Sequence, residues 1–154
     1  MNLRKKILLG LFAGFVAIQF IQPAHNKSDK VLPTDIQKIY VVPDIVTTVL
    51  QISCYDCHSN NTHYPWYSFI QPAAWFMASH IKEGKANLNF SEFGTYSKRK
   101  QQSKLQAIIN SINDNTMPVS SYAMLHKKAI LSVQSKALLL DWIQTTKDSL
   151  SQKN

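Results

Sequence analysis

The chain has 154 residues, with 17 Lys and Arg against nine Asp and Glu, and a formal net charge of +8 at pH 7. About 120 residues lie beyond an N-terminal targeting segment, which leaves room for a single domain with a modest core. That segment carries three of the basic residues and places the rest outside the cytoplasm, so the positive balance does not argue for nucleic acid as a partner.

Residues 1–24 read as a signal anchor or signal peptide. Arg4, Lys5 and Lys6 precede an apolar run over residues 7–21, interrupted only by Gln19 and ended by Gln22 and Pro23. The basic flank predicts that this end stays in the cytoplasm while the remainder is exported. A run of about 15 residues is shorter than the ~20 of an ordinary spanning helix and close to the apolar core of a signal peptide. Residues 20–25 nevertheless have bulky or polar side chains where a signal peptidase wants small ones. An anchor on the periplasmic side of the inner membrane is therefore favoured over a soluble periplasmic product of cleavage.

Residues 25–42 read as a polar linker and the lead-in to the domain, with His25 a solvated linker residue. Pro43 and Asp44 then open a helix, Pro at its first position and an acid in its first turn. Ile45, Val49 and Ile52 repeat at helical spacing up to Cys54.

Cys54-Tyr55-Asp56-Cys57-His58 is a C-x-x-C-H run that uses both cysteines of the chain. It reads as a c-type haem attachment site. Cys54 and Cys57 would add their thiols to the two vinyl groups of a haem, and His58 would be the first axial ligand. Positions i, i+3 and i+4 share one helix face, so one turn can meet one edge of the macrocycle. A structural zinc site wants two separated ligand pairs, a thioredoxin-like pair wants a βαβ context, and a disulfide across so short a ring is a poor staple. None of these fits the chain as well as haem.

Residues 59–67 form a polar turn running into aromatic residues. A backbone carbonyl near Pro65 is expected to accept the second ring N–H of His58. Trp66, Tyr67 and Trp75 are candidates for the haem wall, with ordinary core as their other reading. A second helix is predicted over residues 72–82, with Gly84 past its end and Trp75, Phe76, Ser79, His80 and Glu83 on or beside one face. His63 is too close in sequence to reach the opposite haem face, whereas His80 is a candidate sixth ligand. A basic helix follows over residues 98–113, with Leu105, Ile108, Ile109 and Ile112 as its apolar stripe. Its cluster of Lys98, Arg99, Lys100 and Lys104 reads as a solvated face, or as a docking patch for an acidic redox partner or anionic lipid. Beyond it stands Met117-Pro118, a loop methionine beside a stiffening proline, which makes Met117 the favoured sixth ligand over His80. Ser132 is expected to cap a last helix over residues 133–148, with Ala137, Leu138, Leu140 and Trp142 among its apolar positions and residues 149–154 as a tail.

An export segment, C-x-x-C-H after a first helix, a distant Met-Pro loop and a closing helix together resemble a class I c-type cytochrome. Cys54 to Asn60, Tyr64-Pro65-Trp66-Tyr67, His80-Ile81, Leu88-Asn89-Phe90-Ser91, Met117-Pro118 and Leu131-Ser132 resemble more narrowly the bacterial haem-binding domain family of small anchored proteins common in Bacteroidetes, over residues 30–146. The resemblance implies an all-α, cytochrome c-like domain (residues 43–148) around one covalent haem c in the periplasm. The aromatic loop and the His80 segment depart from a minimal cytochrome c. Two functions follow. A monohaem electron carrier would exchange electrons with redox partner proteins. The alternative is a peroxidase-like haem enzyme, or a redox or gas sensor, with an open or displaceable sixth position and His80 or His126 as acid–base group.

Overall fold

The computed structural model describes residues 2–152 and is helical throughout, with one isolated antiparallel bridge, Lys27 to Asn61. Eight α-helices follow one another: α1 (Leu3–Ile18), α2 (Ile36–Ile39), α3 (Asp44–Ser53), α4 (Tyr55–His58), α5 (Ala73–Asn87), α6 (Lys98–Asn113), α7 (Ser120–Leu125) and α8 (Val133–Gln152). Short 3-10 turns at Trp66–Phe69, Phe90–Thr95 and Lys127–Ala129 join them. The all-α expectation therefore holds.

The core forms where α3, α6 and α8 pack with the Phe90–Thr95 turn. Phe90, Phe93, Ile36, Leu50, Leu105, Leu139 and Ile143 are almost wholly removed from solvent. Phe93 is flanked edge-on by Tyr40 and Tyr96, at centroid separations of 6.4 and 5.6 Å. Helix α6 starts and ends where its sequence signals lie. The Ser97 hydroxyl accepts from Lys100 N–H at its start, and Asn115, with φ of 55°, turns the chain left-handed after its end.

Two stripes differ in phase from the sequence expectation. On α3 the buried positions are Val46 and Leu50, with Val49 and Cys54 partly buried on the same side, while Ile45 and Ile52 are exposed. On α8 they are Leu139, Trp142, Ile143, Thr146 and Leu150, while Ala137 and Leu138 face outward. Both helices carry apolar residues on more than one face, so spacing alone does not select the face that packs. Trp142 decides α8: its indole N–H donates to Val41 O at 3.0 Å and fixes the helix on the chain leading into α3. Buried Leu150 carries α8 past residue 148 to Gln152, replacing the first part of the expected tail; residues 153–154 lie outside the described residues.

The expected linker is tied to the domain. Asn26 Nδ2 donates to Ser59 O at 2.8 Å and to Thr62 Oγ1 at 2.9 Å, and Ile36 is fully buried. Helix α1 has no buried residue, and no described helix is long and apolar enough to cross a membrane.

Phe93→Ala removes a ring from the centre of this core and is expected to cost about 3–5 kcal/mol. Denaturant unfolding of the full chain measures it; a cost below about 1 kcal/mol would mean that the ring is not packed as described.

Candidate haem site

The C-x-x-C-H run sits across a change of direction. Helix α3 ends at Ser53, Cys54 takes a non-helical conformation, and Tyr55–His58 form one further turn. Cys54 O accepts from Cys57 N–H at 3.2 Å and from His58 N–H at 3.0 Å, which sets the three side chains on one turn. The two thiols are not joined in a disulfide. Burial, with the second thiol adding to it, pushes the Cys54 thiol up to about 12; burial, with Asp56 adding to it, pushes Cys57 up to about 11. Both groups are therefore neutral thiols near pH 7.

Helix α5 backs this turn at backbone contact. A Cβ added to Gly84 would lie 2.6 Å from Cys57 O and 3.2 Å from Cys57 Cβ, so only glycine permits the approach. The same end of α5 supplies the partners of His58: Nδ1 lies 2.9 Å from Gly84 O and 3.0 Å from Leu88 O. A carbonyl cannot donate, so Nδ1 carries the proton and Nε2 the lone pair. Burial holds the His58 pKa below its ordinary value, and the two carbonyls oppose that shift in part. The partner is thus a backbone carbonyl, as expected, but it comes from α5 rather than from the Pro65 loop. Helix α5 runs to Asn87, beyond the expected end at residue 82, and so carries its last carbonyls to the ring.

Cys54 and His58 line an apolar cavity of about 340 Å³, walled by Leu88 and Phe90 on one side and by Ala107, Ile108 and Ile112 of α6 on another. Met117, Pro118 and Leu131 complete it, with Ser53, Asn87, Lys104 and Ser111 at polar positions. Met117 arrives there because Asn115 reverses the chain and Ser111 O then accepts from Thr116 N–H and Met117 N–H, at 3.0 and 3.3 Å. A residue 59 positions after His58 is brought to the same cavity by one left-handed turn.

The other candidates sit elsewhere. Cys57 touches α5 through its backbone and Cβ, lies near Tyr67 and Tyr122, and does not line the cavity. The His80 ring lies over Phe76, and its Nδ1 is 2.9 Å from Phe76 O of the same helix. Trp66 is 76% exposed and Trp75 39%; neither reaches the cavity. Tyr67 belongs to a cluster on the outer side of the C-x-x-C-H turn. Its hydroxyl pairs with His126 Nε2 at 2.6 Å, His126 stacks on Tyr122, and the Tyr122 hydroxyl donates to Asp56 Oδ2 at 2.7 Å. Burial and the Asp56 carboxylate both push the Tyr122 phenol up, which keeps it a donor. His63 is exposed and holds the turn through its backbone, donating to Asp56 Oδ1 at 2.9 Å. Gly84, Leu88, Asp56 and Tyr122 were not foreseen as part of the site. Only Gly84 left a sequence signal, a glycine beside helical periodicity.

The donor set fits a haem. A neutral imidazole presents an unpaired ring nitrogen to a cavity walled by aliphatic side chains, with a thioether on that wall and two free thiols on the ligand turn. Among the described residues no group of three His, Cys, Asp or Glu is placed to hold a metal ion alone. Fold and site together define a helical haem-binding protein. The chain belongs to the haem-binding domain family, whose model matches residues 13–145. No match was found among curated proteins or among solved structures.

Gly84→Ala is expected to push α5 off the Cys57 carbonyl and disturb both Nδ1 contacts. Haem content per chain should fall severalfold; an unchanged haem-to-protein absorbance ratio would show that this contact is not needed.

Proposed function

We propose that the chain is a monohaem c-type cytochrome, related to class I cytochromes, that carries electrons in the periplasm. In this reading Cys54 and Cys57 would hold haem c through thioethers, and His58 and Met117 would bind its iron. The observation that carries it is the meeting of Cys54, His58 and Met117 on one apolar cavity.

Bound haem supplies one-electron chemistry at its iron. The chain's residues set the conditions for it. Gly84 O and Leu88 O hold the His58 ring with its lone pair at Nε2. Leu88, Phe90, Ile108 and Ile112 give the cavity an apolar wall. A methionine sulfur as the second ligand favours the reduced state and raises the potential. With His58 and Met117 both on the iron, a substrate would have no place there. His80 and His126, the acid–base groups an enzyme would need, are held in other contacts. The carrier reading is supported over the enzyme for that reason.

The basic start of α6 supports the reading that acidic redox proteins are the partners. Lys98, Arg99 and Lys100 lie on its first turn, and Lys104, one turn on, reaches the cavity. A positive surface beside a redox cofactor would speed encounters with such proteins. Arg4, Lys5 and Lys6 on the first turn of α1, ahead of its apolar run, support anchoring of the domain on the periplasmic side of the inner membrane.

The ferric protein should show a weak sulfur-to-iron charge-transfer band in the near infrared. Met117→Ala should abolish it and give a high-spin form that takes exogenous ligands, while His80→Ala should leave the spectrum unchanged. The reverse pattern would transfer the sixth position to His80. Acid–organic extraction should leave the haem on the chain and release it from the Cys54→Ala, Cys57→Ala double variant. Release from the unsubstituted chain would end the c-type reading.

A further inference from the structure

The residues next to α1 are fixed to the domain rather than joined to it by a loose tether. Gln71 is 1% exposed and acts as a clamp: its backbone N–H donates to Gln19 Oε1 at 2.9 Å, and its side chain Nε2 to Ile21 O at 2.7 Å. The Trp75 indole N–H donates to the same Ile21 carbonyl at 3.0 Å, and Gln22 Nε2 donates to Phe69 O at 3.2 Å. These contacts satisfy backbone groups just where the apolar helix ends. They also bring an apolar surface to that place. Phe20 (85% exposed), Ile21 (61%), Phe76 (59%) and Phe69 (53%) lie bare there, with Ile70 and Trp75 beside them. A soluble domain gains nothing from a clustered exposure of this kind.

From this we infer that the surface formed by Phe20, Ile21, Phe69, Ile70, Trp75 and Phe76 is a membrane-docking face that seats the domain in the interfacial layer of the bilayer. The inference rests on the reading of α1 as an anchor. Continuity selects lipid as the occupant. The surface begins at the last turn of a helix that is apolar on every side from Ile7 to Ile18 and has no buried residue, and hydrogen bonds hold the two together. Helix length points the same way. The apolar part of the helix, Ile7 to Ile18, rises only about 18 Å at ~1.5 Å per residue, well short of a hydrocarbon core of about 30 Å. A short apolar segment is accommodated by drawing its flanking residues into the membrane. Here those are Phe20 and Ile21, and the clamp obliges Phe69, Trp75 and Phe76 to follow them. Tryptophan with its N–H satisfied and its ring bare is suited to this layer. The consequence is a fixed stance: the domain cannot tumble on its anchor, and the haem site keeps one orientation to the membrane.

The test uses the full haem-loaded chain carrying Trp66→Phe, labelled with 5-fluorotryptophan, in bilayers of equimolar phosphatidylethanolamine and phosphatidylglycerol. The two remaining probes are Trp75 and buried Trp142. Carbonate washing reports anchoring, and fluorine relaxation by a water-soluble gadolinium chelate, or by a lipid-borne one, reports depth. The expected result is a chain that resists extraction, with Trp75 relaxed severalfold more by the lipid-borne probe than by the soluble one. A carbonate-resistant chain whose Trp75 answers to the soluble probe would overturn the docking face and leave the anchor standing. Protection from both probes would mean that protein covers the surface, which also overturns it. Extraction of the chain by carbonate would remove the anchor reading and this inference with it.

Discussion

The contact on which the site depends is the approach of α5 to the C-x-x-C-H turn at Gly84. One missing side chain lets two backbones touch, and that closeness puts two carbonyls, 2.9 and 3.0 Å away, within reach of His58 Nδ1. A hydrogen bond to a ring nitrogen does two things at once. It fixes which nitrogen holds the proton, and it aims the other. Burial reinforces the result by disfavouring the charged ring. The imidazole is therefore held neutral with its lone pair at Nε2, and main chain rather than a mobile side chain sets it so.

A second set of contacts holds the other side of the same turn. Asp56 receives His63 N–H on one oxygen and the Tyr122 hydroxyl on the other, while Asp56 O accepts from Thr62 Oγ1. Tyr122 in turn stacks on His126, which pairs with Tyr67. Two separated stretches of the chain, residues 62–67 and 122–126, thus converge on the middle of the motif. Of the aromatic residues expected along the haem wall, Tyr67 acts here in an outer brace, and Leu88, Phe90, Ile108 and Ile112 line the cavity.

What the sequence disclosed follows from where its signals are local. The motif, the limits of α6, the Ser132 cap of α8 and the loop place of Met117 each depend on a few adjacent residues. The phases of α3 and α8 were illegible because Ile45 competes with Val46, and Leu138 with Leu139, for the buried face. Only the partner helices decide such a contest. The role of the dense aromatics between Trp66 and Phe76 was hidden for a similar reason. A haem wall, a core and a bare face can all be made of the same side chains, and contacts to Gln19, Ile21 and Gln22 separate the readings.

The two proposed axial ligands are held by different physics. His58 is fixed by buried main chain on a turn braced from both sides. Met117 is 41% exposed, on a loop whose position depends on one left-handed asparagine and two backbone bonds to Ser111. Local opening is cheapest where few buried contacts must break. The methionine side is therefore where the site opens first, and the histidine side stays intact when it does. In the carrier proposed above, that asymmetry would make the histidine side the fixed half of the site and the Met117 loop the half that moves.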